Sequence, residues 1–211
     1  MRATFRPLRG RTTARRSGGG LLSRPYYPHL FVMTDDILDR AADAALALAA
    51  DKPWPAVSLR DIAVKAEVPF AELYGRANSK AAVLAHLSAR FDRAALGVDY
   101  PEGSETHDRL FDAAMARLEA MEPHRAALIA IARAQGPLAS AGRFPRIARA
   151  VLEAAGVEAA APRLLAMTAV WARVVQVWRD DEGALNRTMA ELDKRLKQMA
   201  EQLGKFGAGF A

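Results

Sequence analysis

The chain contains no cysteine in its 211 residues, which excludes a disulfide framework, a thiolate metal site and a thiol nucleophile. No uninterrupted apolar run approaches the roughly 18–20 residues of a spanning helix. The sequence therefore reads as that of a soluble, cytoplasmic protein. Aromatic residues are few, at 7%, but apolar residues as a whole reach 51%, enough to bury a full core and to exclude general disorder. At about 100–200 residues per domain, the length fits one large domain or a small one joined to a medium one.

Acidic residues are missing from the first 32 positions. That stretch holds Arg2, Arg6, Arg9, Arg11, Arg15, Arg16 and Arg24 with no Lys, Asp or Glu. Taking those seven from the 30 basic residues leaves 23 against 24 acidic ones in the rest of the chain. The net charge of +6 thus comes from one end, and bulk charge is no argument that the folded part binds nucleic acid. Gly18-Gly19-Gly20 and three prolines deny this end a helical apolar period, so residues 1–33 read as a disordered basic tail or an over-long start. A flexible arm on DNA and an Arg-rich presequence are the other readings. Met33-Thr34-Asp35-Asp36 looks like the start of the folded chain, because Thr34 can N-cap a helix with two carboxylates in its first turn.

Catalytic motifs are equally scarce. There is no GxSxG, no HExxH, no phosphate-cradling glycine loop and no GxGxxG between a strand and a helix. His29, His86, His107 and His124 lie on four separate segments without metal-ligand spacing. Asp180, Asp181 and Glu182 cluster after Trp178, where they read as a solvated helix end rather than an acid/base pair. The expectation is a protein that is not an enzyme and needs no cofactor and no metal.

Helical periodicity is what the sequence has in abundance. Ile37, Ala41, Ala44, Ala45 and Leu48 form one apolar stripe, which Pro53 and Pro55 end. Ser58 opens a second helix, with Asp61 three residues on as a capping box and Leu59, Ile62, Ala63 and Ala66 inward. Glu67-Val68-Pro69 breaks the chain, a short helix spans 70–76, and Asn78-Ser79 restarts it for a helix over 80–96. Gly97, Pro101 and Gly103 mark a linker. Further helices are expected near 106–121, 123–135, 143–155 and 162–178. The last helix spaces Leu185, Met189, Leu192, Leu196, Met199 and Leu203 as a heptad seam. No alternating strand pattern competes, so the fold class is all-α.

Two short helices across a three- or four-residue turn can present the second to a major groove. Here the stretch Val57-Ser58-Leu59-Arg60-Asp61-Ile62-Ala63, then Ala66-Glu67-Val68, Leu73-Tyr74 and Ser79-Lys80, resembles the DNA-binding domain of TetR-type bacterial repressors. The resemblance covers about residues 34–95. It implies a three-helix helix-turn-helix domain at 34–96, with the motif at 59–77, followed by a larger helical ligand-binding and dimerisation domain at 104–211. It also implies a transcriptional repressor that binds double-stranded DNA at a pseudo-palindromic operator as a homodimer and takes a small apolar ligand. Carried over position by position, Ser58 and Arg60 would lie near the DNA backbone. Phe70, Ala71, Glu72, Tyr74, Gly75 and Arg76 would form the recognition helix, with Phe70 exposed, and Lys80 would touch phosphate. Glu67 stands where the family usually has glycine, and Ala77 where it has a large aromatic.

In the second domain, Phe111, Met115, Met121, Met167 and Trp171 are the candidate lining of an apolar pocket. The dense apolar residues of 162–178 and 185–203 are the candidate dimer face. A second resemblance gives an alternative. Trp178-Arg179-Asp180-Asp181 and Thr188-Met189-Ala190-Glu191-Leu192-Asp193-Lys194-Arg195-Leu196 are similar to the end of COQ9-type proteins. Those share the architecture but are implied to bind isoprenoid lipid in ubiquinone synthesis without DNA. Such a relative would meet membranes through the apolar face of 185–203.

Overall fold

The computed structural model describes residues 28–181, 185–205, 207 and 209. Within them the chain forms α1 (Pro28–Asp51), α2 (Leu59–Lys65), α3 (Phe70–Arg76), α4 (Lys80–Leu96), α5 (Thr106–Met121), α6 (Arg125–Ala141), α7 (Phe144–Ala154), α8 (Ala161–Arg179) and α9 (Asn186–Lys205). Short 3-10 turns occupy Trp54–Ala56 and Glu122–His124, and the described residues contain no strand. The fold is all-α, as expected.

Of the expected tail over residues 1–33, residues 1–27 lie outside the described residues, and 28–33 belong to α1. α1 nevertheless begins at Pro28, so Thr34 is inside the helix and does not cap it. Proline's fixed φ suits a first helical turn, and no glycine or proline interrupts the chain from there to Pro53. α1 buries Ala41, Ala42, Ala44, Ala45, Leu46 and Ala49, more than one stripe, because it packs on α2, α3, α4 and α6 at once. Its alanines allow that many close approaches.

α4 continues from the small N-terminal helices into the larger bundle, where it packs against α5 and α7. A buried ion pair ties the two regions: Arg117 Nε on α5 donates to Asp92 Oδ1 on α4 at 2.9 Å. The expected helix end near residue 135 is a kink within α6. Gly136 takes φ 80° and ψ 169° ahead of Pro137, a conformation that only glycine enters readily.

The heptad seam of α9 is used inside the chain, not offered to a partner. Leu192, Leu196, Met199 and Leu203 are buried, and α9 packs on α5 and α8. Met189 turns outward, while Thr188 takes the inward place one residue earlier. The cause is Asp181, which is buried rather than solvated. Its Oδ2 accepts from the Thr188 backbone N–H at 2.9 Å and from the Thr188 hydroxyl at 2.7 Å, fixing the register of the first turn. Glu182, the third carboxylate of that cluster, lies outside the described residues.

Candidate nucleic-acid interface and interior cavity

The helix-turn-helix is built by local chemistry that can be followed atom by atom. Ser58 caps α2: its hydroxyl accepts from the Asp61 N–H at 3.1 Å, while the Ser58 N–H donates to Asp61 Oδ2 at 2.8 Å. The Ser58 N–H, then its hydroxyl, hold the Asp61 carboxyl below its ordinary pKa. α2 ends in a Schellman motif, with the Val68 N–H donating to Ala63 O at 3.0 Å and the Glu67 N–H to Val64 O at 3.1 Å. That geometry needs a left-handed residue, and Glu67 supplies it at φ 53°. Its carbonyl accepts from Arg40 Nη2 of α1 at 2.8 Å. The glycine usual in the family at this position thus has a physical reason, and this chain meets the same backbone demand with a glutamate.

α3 follows Pro69 and anchors itself through buried Leu73. The other side is open: Ala71, Glu72, Tyr74, Gly75 and Arg76 are exposed, Tyr74 by 54%. Phe70, expected to be exposed, is half-buried. The Arg60 guanidinium lies 4.3 Å from its ring centroid, and the Tyr74 ring centroid is 5.9 Å away. Stacking of this kind leaves the charge of Arg60 at the surface while the flat guanidinium covers the ring. Glu72 is a turn away from Arg76, whose Nη1 comes within 4.0 Å of its Oε2. Ala77 is buried just after the helix, and Ser79 caps α4 by accepting from the Ala82 N–H at 3.2 Å.

Lys80 is placed where its ammonium is already engaged. It donates to Val57 O at 2.6 Å and Trp54 O at 3.0 Å and lies 4.8 Å from the Trp54 ring centroid. It ties the start of α4 to the chain just before α2, a role additional to the phosphate contact expected of it. Spacing alone gave no prominence to Lys65, an exposed cation in the last turn of α2, or to exposed Asn78 between α3 and α4. Their exposure beside the motif is the signal. From Lys52 to Lys80 the chain carries five basic and three acidic residues, so this region is locally positive in a near-neutral remainder.

A second feature lies deeper. α4, α5, α6, α7 and α8 line a partly open cavity of about 150 Å³. Met121 and Trp171, two of the expected lining residues, are on its wall; Phe111, Met115 and Met167 are not. Met115 and Met167 are buried elsewhere in the core. The wall is instead completed by residues whose separation in sequence hid them, among them Leu87, Phe91, Ile129, Phe144, Ile147 and Trp178. Three arginines also face it: Arg117, Arg143 and Arg179.

Residues 42–87 match the family model described as bacterial regulatory proteins, tetR family. None of the curated proteins matches the chain. Among solved structures, a TetR transcriptional regulator from Nitrosomonas europaea superposes with a TM-score of 0.63 at 22% identity, covering 78% of this chain and 98% of that one. A TetR transcriptional regulator from Rhodococcus sp. RHA1 gives 0.59 at 20% identity, covering 79% and 97%. Residues 42–87 thus carry a likeness to the tetR family of bacterial regulatory proteins, and the chain shares the fold of TetR transcriptional regulators.

Proposed function

We propose that this chain is a cytoplasmic, non-enzymatic transcriptional repressor that binds a pseudo-palindromic operator as a homodimer and responds to a small apolar effector. The observation that carries this reading is α3. It follows a Schellman turn in a segment matching the tetR family, and exposes Ala71, Glu72, Tyr74, Gly75 and Arg76 together. A helix so mounted can enter a major groove, with Glu72 accepting from a cytosine amino group and Tyr74 reaching backbone or base. Arg60, Lys65 and Arg76 supply phosphate contacts from both flanks, and Ser58 lies beside them.

The dimer face is the outer side of α8, not the seam of α9. Ala161, Leu165 and Ala169 recur there at helical spacing and are exposed, Leu165 by 74%, and Met189 of α9 is 40% exposed. Small residues around a projecting leucine suit a two-fold helix contact. The cavity between α4 and α8 would hold the effector.

The lipid-binding alternative draws no support from α9, whose apolar side is packed against its own bundle. No helix of the described residues is long and apolar enough to cross a membrane. Selection of the full chain against random duplexes at low salt, beside a liposome flotation assay, tests the two. Recovery of an inverted repeat supports the repressor. No enrichment together with flotation reverses the assignment.

A further inference from the structure

We propose that the cavity selects a compact organic carboxylate, an apolar body of about six to eight carbon atoms carrying a single negative head. This deepens, and rests on, the reading of the cavity as an effector pocket. Size comes first: an apolar cavity of about 150 Å³ holds roughly one benzene-sized ring. Charge comes second. The wall has three arginines and no aspartate or glutamate. Arg117 is neutralised from behind by Asp92, and its Nη2 donates to the Ser88 hydroxyl at 3.1 Å. Arg143 has no such match among the described residues. It is half-buried, and its donors go to neutral acceptors, Gln135 Oε1 and Ala139 O. Burial pushes its pKa down from the usual arginine value.

The third observation concerns hydrogen bonding. Trp171 is 1% exposed and lines the cavity, but its indole Nε1–H is itself buried without a partner among the described residues, so a polar head in the cavity has the arginines to meet. The other tryptophan of the wall makes the contrast, since Trp178 Nε1 donates to Glu122 Oε2 at 2.7 Å. The Gln135 carbonyl already accepts from Arg143, and the Ser88 hydroxyl from Arg117. The wall thus carries guanidinium groups and no carboxylate, which favours a carboxylate over an alcohol and an alcohol over an amine.

Three molecules of one shape test this: phenylacetate, 2-phenylethanol and 2-phenylethylamine, titrated calorimetrically into the full-length protein. Phenylacetate is expected to bind roughly tenfold or more tightly than the alcohol, the margin of a charge-assisted over a neutral hydrogen bond, and the amine weakest. Arg143→Gln should bring the ratio of phenylacetate to alcohol affinity down toward one. Arg179→Gln, at an exposed position, is the second variant should Arg143→Gln fold poorly, and should weaken phenylacetate alone. Equal or tighter binding of the alcohol or the amine overturns the charge preference while leaving an effector pocket standing. Failure of all three, and of their linear six-carbon counterparts, overturns the pocket reading itself.

Discussion

Glu67 sits in the left-handed region, where a side chain costs about 1 kcal/mol or more, and the Schellman turn between α2 and α3 depends on it. Glu67→Gly should relieve that strain at the expense of some added freedom in the unfolded chain. The net expectation is a gain approaching 1 kcal/mol, or roughly 2–4 °C in melting temperature for a chain of this size; a fall in melting temperature would contradict it. Arg117 makes the opposite case. It is 2% exposed and paired with buried Asp92, so Arg117→Met strands a carboxylate away from water. The expected cost is about 3–5 kcal/mol in a denaturant titration, and Arg117→Met with Asp92→Leu should recover most of it. Local chemistry at this scale was legible: Ser58 and Asp61 are three residues apart, and their reciprocal bonds follow from that spacing. Lys80 was not, because its acceptors lie 26 and 23 residues earlier in the chain, and only packing brings them to it.

At the scale of elements, α3 and α4 could be bounded from sequence because Pro69 and Ser79 punctuate them in their own neighbourhoods. α9 shows what periodicity misses. A heptad pattern places Met189 on the seam, but the hydrogen bonds from Thr188 to Asp181 set the register instead. The same bonds give a pH signature. Burial raises the Asp181 pKa, but the two Thr188 donors with Arg125 and Arg187 outweigh it, and the net value is below the ordinary one. A depressed carboxyl stabilises the fold fully above its unfolded pKa of about 3.9 and loses that contribution as pH falls through the folded value. Asp181→Asn should therefore be less stable than the parent chain at neutral pH, and thermal melts of the two should begin to converge below about pH 4. A gap that stays constant down to pH 2 would show that α9 does not depend on this charge. The cavity was legible only in kind. Soft and aromatic side chains were expected, yet its wall draws on five helices, and no single-sequence periodicity reports which faces meet.

At the scale of the whole molecule, reading an inverted repeat needs two copies of α3 held by a two-fold contact through α8. Leu165 is exposed, so Leu165→Asp should leave folding within about 0.5 kcal/mol of the parent while light scattering falls from twice 22.9 kDa to a single chain. A parent chain that is already monomeric at micromolar concentration would contradict the α8 interface. Operator reading is the central claim, and selection from random duplexes with the parent chain and Glu72→Gln side by side tests it most directly. The parent should enrich an inverted repeat, and the variant an inverted repeat changed at symmetric positions in both halves, because glutamine offers an amide where glutamate offers only acceptors. Enrichment of nothing by the parent, or of the same site by both, would contradict the placement of α3 in the major groove.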